Sequence, residues 1–146
     1  MANGLGNKFN YVHIADSVIV NMKDYTGITV FVYEATTASV ASVTRLKNGS
    51  DSAVIPNTIT EYWANAGGGT VWTRQTMSAN DQVTKTTAAG QNLIAIELDW
   101  KKHINPDGGD YNQVNVEVNG SAVVSYILQG LKVQRAPQNL PAVVAS

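Results

Sequence analysis

The chain has 146 residues, a formal net charge of −1 and no cysteine. The length suits one domain, the absence of cysteine excludes disulfides and thiol chemistry, and the charge gives no electrostatic basis for binding nucleic acid or an anionic membrane. Only 14% of the residues are charged, against roughly 25% in a typical domain. Uncharged polar side chains must therefore form much of the surface, which favours packing against other proteins.

No targeting or membrane segment is predicted. The opening MANGLGNKFNYVHIADS contains a single lysine and lacks the apolar core of a signal peptide. The longest apolar runs fall far short of the ~20 residues that a membrane helix needs. We expect synthesis in a cytoplasm and no membrane or nucleic-acid partner.

The first half of the chain predicts β-strands. Residues 11–22 are rich in β-branched side chains around a central Ala-Asp-Ser break, and residues 27–35, GITVFVYEA, predict a strand buried on both faces. Alanine and serine dilute the next segment, so a helical turn within 38–46 stays open there. A hairpin follows, in which residues 59–63 and 71–75 flank the glycine-rich run AGGG.

The second half alternates more regularly. Residues 92–100 place one set of side chains inward, namely Ile94, Ile96, Leu98 and Trp100, and residues 111–120 do the same with Val114, Val116 and Val118. The pair Asn119-Gly120 predicts a type I′ hairpin into a last strand that bends at Gly130.

These eight or nine strands, separated by Gly, Asn and Pro, predict an all-β fold, an antiparallel, jelly-roll-like β-sandwich. We assign the sandwich to residues 9–135, a flexible arm to 1–8 and an extended tail to 136–146, where two prolines prevent central pairing. The tail either frays or orders against a neighbouring subunit. Its apolar side chains are candidate interface residues: Leu140, Val143 and Val144.

The run HINPDGGDYNQ, which begins at His103, concentrates polar side chains between two predicted strands. Asn105, Asp107 and Asp110 supply oxygens, but their spacing does not match a calcium loop. His103 has only His13 as a second imidazole, and zinc normally needs three or four ligands. Because its proline and glycines shape a turn, we interpret the run as a hairpin loop and expect no metal and no catalytic residue there.

Other catalytic signatures are equally weak. Glu61, Glu97, Asp99 and Glu117 could pair as glycosidase carboxylates, but the last three fall on the outward phase of their strands, which is typical of a solvated face. The AGGG run lacks the lysine and the following helix of a phosphate loop. We therefore expect a binding protein without cofactor or catalytic residues.

Three aromatic residues flank the glycine-rich hairpin: Tyr62, Trp63 and Trp72. They are candidate interface residues, and three interpretations remain open. Trp63 and Trp72 could be half-buried cross-strand partners, part of an exposed subunit interface, or a planar platform on which a sugar stacks.

The order YWANAGGGTVWTRQTMSANDQVTKTT, NLIAIELDW and SYILQGLKVQRAPQNLPAVV resembles small virion structural proteins of tailed bacteriophages, above all capsid decoration proteins built on jelly-roll-like sandwiches. The resemblance spans about residues 61–144 and lies in strand–turn rhythm, a Thr/Asn surface and a proline-containing end. It implies a non-enzymatic homo-oligomer, often a trimer, that binds the major capsid protein on the outside of the virion shell. The alternative is a carbohydrate- or receptor-binding sandwich of a phage tail or baseplate.

Overall fold

The computed structural model describes residues 10–14, 17–34, 38–47, 49, 51–66, 69–86, 91–119 and 122–131. Within these ranges the chain forms eleven strands and one π-helical turn, Trp100–Ile104. The strands are β1 (Asn10–Ile14), β2 (Ser17–Asn21), β3 (Tyr25–Tyr33), β4 (Ser39–Lys47), β5 (Asp51–Val54), β6 (Ile59–Asn65), β7 (Thr73–Asn80), β8 (Gln82–Lys85), β9 (Leu93–Asp99), β10 (Gln113–Val118) and β11 (Val123–Leu131).

The strands form two antiparallel sheets. The six-stranded sheet has the order β1-β11-β3-β9-β6-β7, and the second sheet has the order β2-β10-β4, with β5 and β8 both pairing along the far edge of β4. Eight strands (β1 to β4 and β8 to β11) alternate between the sheets in chain order, except that β4 and β8 pair with each other in the second sheet; this is jelly-roll topology. β5, β6 and β7 form an insertion that widens both sheets. The predicted all-β antiparallel sandwich is therefore confirmed.

The core lies between the inner faces of the sheets, as the alternation predicted. Ile94, Ile96 and Leu98 of β9 are buried beside their cross-strand partners on β3, and Val114 and Val116 of β10 are buried on the opposite sheet. All belong to one hydrophobic cluster, against which Trp100 and Val118 are partly buried. Apolar burial of this kind is the dominant favourable term in folding.

One of the three predicted hairpins is confirmed, because β6 and β7 pair antiparallel. The other two do not form. β9 and β10 lie in opposite sheets, so the polar run between them crosses the sandwich and is not a hairpin loop. β10 and β11 also lie in opposite sheets, which makes the hairpin prediction at Asn119 wrong. Alternation within a strand reports which face is buried but carries no information about which strand lies alongside.

The structure corrects or refines three further expectations. Residues 39–46 belong to strand β4 and form no helical turn, and residues 11–22 divide into β1 and β2, in opposite sheets. β3 is not buried on both faces along its whole length, because Phe31 is half-buried and Tyr33 is 45% exposed. The arm 1–8 and the tail 136–146 lie outside the described residues.

A buried arginine organises the crossover after β9. Arg45, on the inner face of the second sheet, donates to both carboxylate oxygens of Asp107, at 3.0 and 2.9 Å, and to the Ile104 carbonyl at 2.8 Å. Its guanidinium also lies 4.2 Å from the centroid of the Tyr111 ring. Burying a charge is costly unless it is paired and hydrogen-bonded, so this arrangement fixes the crossover against β4.

The remaining polar residues of the crossover also bind within the protein. Asn105 joins both backbone groups of Tyr111, donating to its carbonyl at 2.9 Å and accepting from its N–H at 3.3 Å. Asp110 forms an ion pair with Lys47. The buried His103 accepts a 2.8 Å hydrogen bond from the Asp99 N–H at its Nδ1 atom. These side chains hold the shape of the turn.

Val116→Asp should unfold the protein, because it places an unpaired carboxylate in the apolar core. The cost of several kcal/mol is comparable with the roughly 5–15 kcal/mol that stabilises a domain. Circular dichroism and thermal melting provide the measurement. Thr84→Asp, which adds the same side chain at an exposed strand position, is the matched control and should melt like wild type. A wild-type melting temperature for Val116→Asp would contradict the register.

Asp107 should make folding stability depend on acid pH. Hydrogen bonds from Arg45 lower the pKa of Asp107 from 3.8 to about 2. Because the pKa is lower in the folded state, the stabilisation is complete above the unfolded value and is lost as pH falls towards 2. The melting temperature of Asp107→Asn should therefore lie below that of wild type at pH 6, and the difference should vanish near pH 2.

Asp110→Asn is the control for this pH dependence, because its partner Lys47 is far more exposed than Arg45. Its effect at pH 6 should be the smaller of the two. A gap between wild type and Asp107→Asn that stays constant from pH 6 to pH 2 would show that the carboxylate charge does not stabilise the crossover.

Candidate functional site on the outer face of the six-stranded sheet

The outer faces of the two sheets differ in chemistry. Residues paired directly across an antiparallel sheet share a face, so the outer face of each sheet follows from the register. The second sheet presents mostly polar side chains outward: Ser42, Thr44, Gln82, Thr84, Asn115 and Glu117. The six-stranded sheet instead presents many apolar and aromatic ones: Phe31, Tyr33, Trp63, Leu93, Ala95, Val123 and Ile127. Its outer face is the candidate site.

One end of this face is apolar and exposed. Tyr33 pairs with Leu93 and Phe31 with Ala95, and the loop before β7 adds Val71 and Trp72. The exposed fractions are 45% for Tyr33, 73% for Val71 and 38% for Trp72. We call the set Phe31, Tyr33, Val71, Trp72 and Leu93 the outer apolar patch.

A buried asparagine holds the loop that contributes to this patch. Asn65, at the end of β6, uses its Nδ2 to donate to the carbonyls of Gly69 and Val71, both at 3.0 Å. The chain then places Trp72 edge-on to Phe31, with ring centroids 6.3 Å apart and an interplanar angle of 61°. This edge-to-face geometry is favourable for aromatic pairs.

The three hairpin aromatics predicted as interface residues do not form one platform. Tyr62 faces the core, where it is 9% exposed, and its hydroxyl donates to Gln91 Oε1 at 3.3 Å; burial raises the pKa of this hydroxyl. Trp63 is half-buried on the outer face, opposite Arg74. Trp72 precedes β7, so the interpretation of Trp63 and Trp72 as cross-strand partners is wrong. The other candidates, Leu140, Val143 and Val144, lie outside the described residues.

The other end of the outer face contains a groove of about 410 Å³. Its depression arises at Gly27, which has no side chain and lies in register between Asp99 of β9 and Gln129 of β11. Side chains of β6 and β9 form one wall. We call this feature the polar groove and define it by Gly27, Glu61, Trp63, Glu97, Asp99 and Gln129.

Glycine at 130 and a hydrogen bond at 129 define the β11 side of the polar groove. Gly130 has a φ of 66°, and a Cβ there would lie 1.8 Å from Thr26 Oγ1, so only glycine fits. Gln129 Nε2 donates to Thr29 Oγ1 at 2.9 Å. The amide oxygen of Gln129 is therefore oriented by the sheet, and the bend predicted at Gly130 has a local cause.

The carboxylates of the polar groove differ in their partners. Glu61 is bound by Arg74, whose Nε donates to Glu61 Oε2 at 2.6 Å. Asp99 Oδ1 accepts from the N–H groups of Lys101 and Lys102, at 2.9 and 2.8 Å, and so caps the π-helical turn. Glu97 is exposed and has no hydrogen-bond or ion-pair partner among the described residues.

His103 closes the groove beside Lys102. Burial lowers the pKa of this imidazole below 6.5, and the neighbouring Lys102 adds to the effect. The ring is therefore neutral at pH 7, with Nδ1 already accepting from the backbone of Asp99. Asp99 thus fixes the orientation of His103 from one side of the turn.

The structure brings together three of the four acidic residues considered from the sequence. Glu61, Glu97 and Asp99 line the polar groove, whereas Glu117 lies on the outer face of the other sheet. Gly27 and Gln129 were missed, because their contribution depends on the pairing of β3 with β9 and β11. A glycine inside a strong strand pattern was the available signal, since such a residue often marks a close approach.

Two kinds of site are absent from the described residues. No group of three or more His, Asp or Glu side chains among them is arranged to hold a metal ion. No helix in the described part of the chain has the length and apolar character needed to cross a membrane.

No protein-family model matches the sequence, and comparison with curated proteins gives no significant match. Among solved structures, the chain is similar to the SPBc2 prophage-derived protein YomS, with a TM-score of 0.43 and 9% sequence identity over 82% of this chain and 93% of that protein. A similarity of this size carries no inference about function.

Proposed function

We propose that the chain is a structural protein of a bacteriophage virion, which decorates the outside of the capsid and binds the major capsid protein through the outer apolar patch. The observation that carries this proposal is the difference between the two outer sheet faces. One is mostly polar, with Val54 as an exposed apolar exception, and the other exposes Tyr33, Val71 and Trp72, with Trp72 in edge-to-face contact with Phe31. The role is non-enzymatic and needs no cofactor.

The patch has the composition of a protein-binding surface. Contiguous exposed apolar side chains mark interaction sites, and aromatic residues are enriched in the cores of interfaces, whereas Lys, Glu and Asp are depleted there. Covering apolar surface contributes roughly 25 cal/mol per Å² removed from water. With few charged residues in the whole chain, little charge has to be desolvated when the face docks.

The sandwich beneath the patch suits a rigid adaptor. Phe31 and Tyr33 lie on β3, which is bordered by β11 and β9 within the six-stranded sheet. Their backbone is therefore hydrogen-bonded on both edges, and little order has to be gained on binding. A preformed face of this kind can contact an equally rigid shell.

Many repeated contacts between this protein and the shell would stabilise the capsid. We propose a homotrimer in which each subunit contributes one patch, so that modest affinities combine through effective concentration. The tail candidates Leu140, Val143 and Val144 would add contacts to a neighbouring subunit or to the shell. The resemblance of residues 61–144 to capsid decoration proteins supports the head as the location, with a tail or baseplate as the alternative.

Replacing both Tyr33 and Trp72 by serine should weaken binding to heads that lack this protein at least 30-fold. The loss corresponds to about 2 kcal/mol, the usual size of an aromatic hot spot. Co-sedimentation of the purified protein with such heads gives occupancy against concentration. Sedimentation velocity of the free protein would determine whether it is a trimer.

Val54→Ser is the matched control, because Val54 is 56% exposed but lies on β5 of the opposite sheet. It should bind heads as wild type does. Equal binding by the double variant, with an unchanged melting temperature, would exclude the patch as the docking surface. Binding to isolated tails but not to heads would instead establish the alternative location.

A further inference from the structure

We propose that the polar groove is a binding site for a neutral carbohydrate, distinct from the outer apolar patch. This inference does not depend on capsid decoration. It rests on three features of adjacent strands: a depression in the sheet, a tryptophan in its wall, and side chains that include both hydrogen-bond donors and acceptors.

The shape suits a small ligand. A volume of about 410 Å³ lies within the roughly 300–1,000 Å³ of small-molecule sites. The depression exists because Gly27 has no side chain between Asp99 and Gln129. A Cβ at Gly27 would lie 3.4 Å from the Leu98 carbonyl, an ordinary van der Waals contact, so the strand has room for a Cβ there, and a side chain built on it would occupy the groove.

The wall chemistry matches a sugar ring. Trp63 is half-buried and lines the groove, so part of its indole is available to cover the C–H face of a ring. The carboxylates of Glu97 and Asp99 accept hydrogen bonds, the Gln129 amide oxygen accepts another, and the hydroxyls of Thr26 and Thr60 both donate and accept. Sugar hydroxyls both donate and accept hydrogen bonds, so a site for them needs donors and acceptors together.

The charges select among ligand classes. The charge of Glu61 is balanced by Arg74, which binds it. The negative charges of Glu97 and Asp99 then exceed the single positive charge of Lys102 in the groove. An anionic ligand such as a phosphate or a nucleic acid is therefore disfavoured by repulsion. A cationic side chain would be attracted and could donate to the threonine oxygens, but it offers no acceptor to their O–H groups, whereas each hydroxyl of a neutral sugar both donates and accepts.

The groove and the patch occupy opposite ends of one sheet face. Gly27 and Tyr33 are six residues apart on β3, which places them roughly 20 Å apart at the rise of a strand. Trp63, which is in register with Phe31 through Ala95, is the groove residue nearest the patch. A protein docked around Tyr33 can leave the Gly27 end of the groove open. The two surfaces can be tested with different variants.

The test is calorimetric titration with a panel of neutral sugars: glucose, galactose, N-acetylglucosamine, lactose, maltose and chitobiose. We expect at least one disaccharide to bind. Glu97→Gln should weaken that binding tenfold or more, as expected for the loss of a charged hydrogen-bond acceptor, and Gly27→Val should abolish it. Glu97 is exposed, so its substitution should leave the fold intact.

Two matched controls separate this site from other surfaces. Glu117→Gln makes the same change on the outer face of the opposite sheet, and Trp72→Ala removes a tryptophan outside the groove. Both should bind the sugar as wild type does. Glu97→Gln should bind heads normally. Loss of sugar binding and loss of head binding can therefore be observed separately.

Three results would overturn the proposal. One is the absence of binding by every sugar of the panel at concentrations up to the millimolar range. Another is wild-type affinity for the sugar in both Glu97→Gln and Gly27→Val. The third is binding of a lysine-containing peptide with the same sensitivity to these variants and no binding of sugars, which would make the groove a pocket for a cationic side chain.

Discussion

The structure depends on the burial of one side of every central strand between two sheets. Ile94, Ile96 and Leu98 occupy the inner face of β9, and the period of two then directs Ala95, Glu97 and Asp99 outward. The same packing that stabilises the core thus assigns the residues of the candidate site. A slip of one residue would exchange the two sets, so core and site cannot vary independently along this strand.

The second constraint is a charged side chain that the interior contains. Arg45 occupies an inward position of β4 and needs Asp107, the Ile104 carbonyl and the Tyr111 ring to be tolerated there. All three partners come from the crossover after β9. The run HINPDGGDYNQ therefore owes its polar composition to a structural requirement, namely closing one end of the sandwich around a buried guanidinium.

The outer face of the six-stranded sheet combines two kinds of surface at opposite ends. Around Tyr33 the exposed side chains are aromatic and aliphatic, which suits a dry contact with protein. Around Gly27 they are carboxylate, amide and hydroxyl groups beside Trp63, which suits a polyol. Trp63 lies between the two ends, opposite Arg74 of the inserted hairpin. A decoration protein with this arrangement would hold the shell and present a sugar site from the same rigid sheet.

The sequence by itself determined the fold class, the inward sets of β9 and β10, and the outward position of Glu97, Asp99 and Glu117. It could do so because burial of one strand face is a local, period-two property. Apart from the β6–β7 hairpin, only the tertiary structure decided which strands are neighbours. The pairing of Trp63 with Ala95 brings Glu61 to Glu97, and the crossing of β10 to the other sheet removes Glu117 from them. It also decided that Tyr62 faces the core and Trp63 the surface. These facts depend on contacts between segments far apart in the chain, which alternation within one segment does not encode.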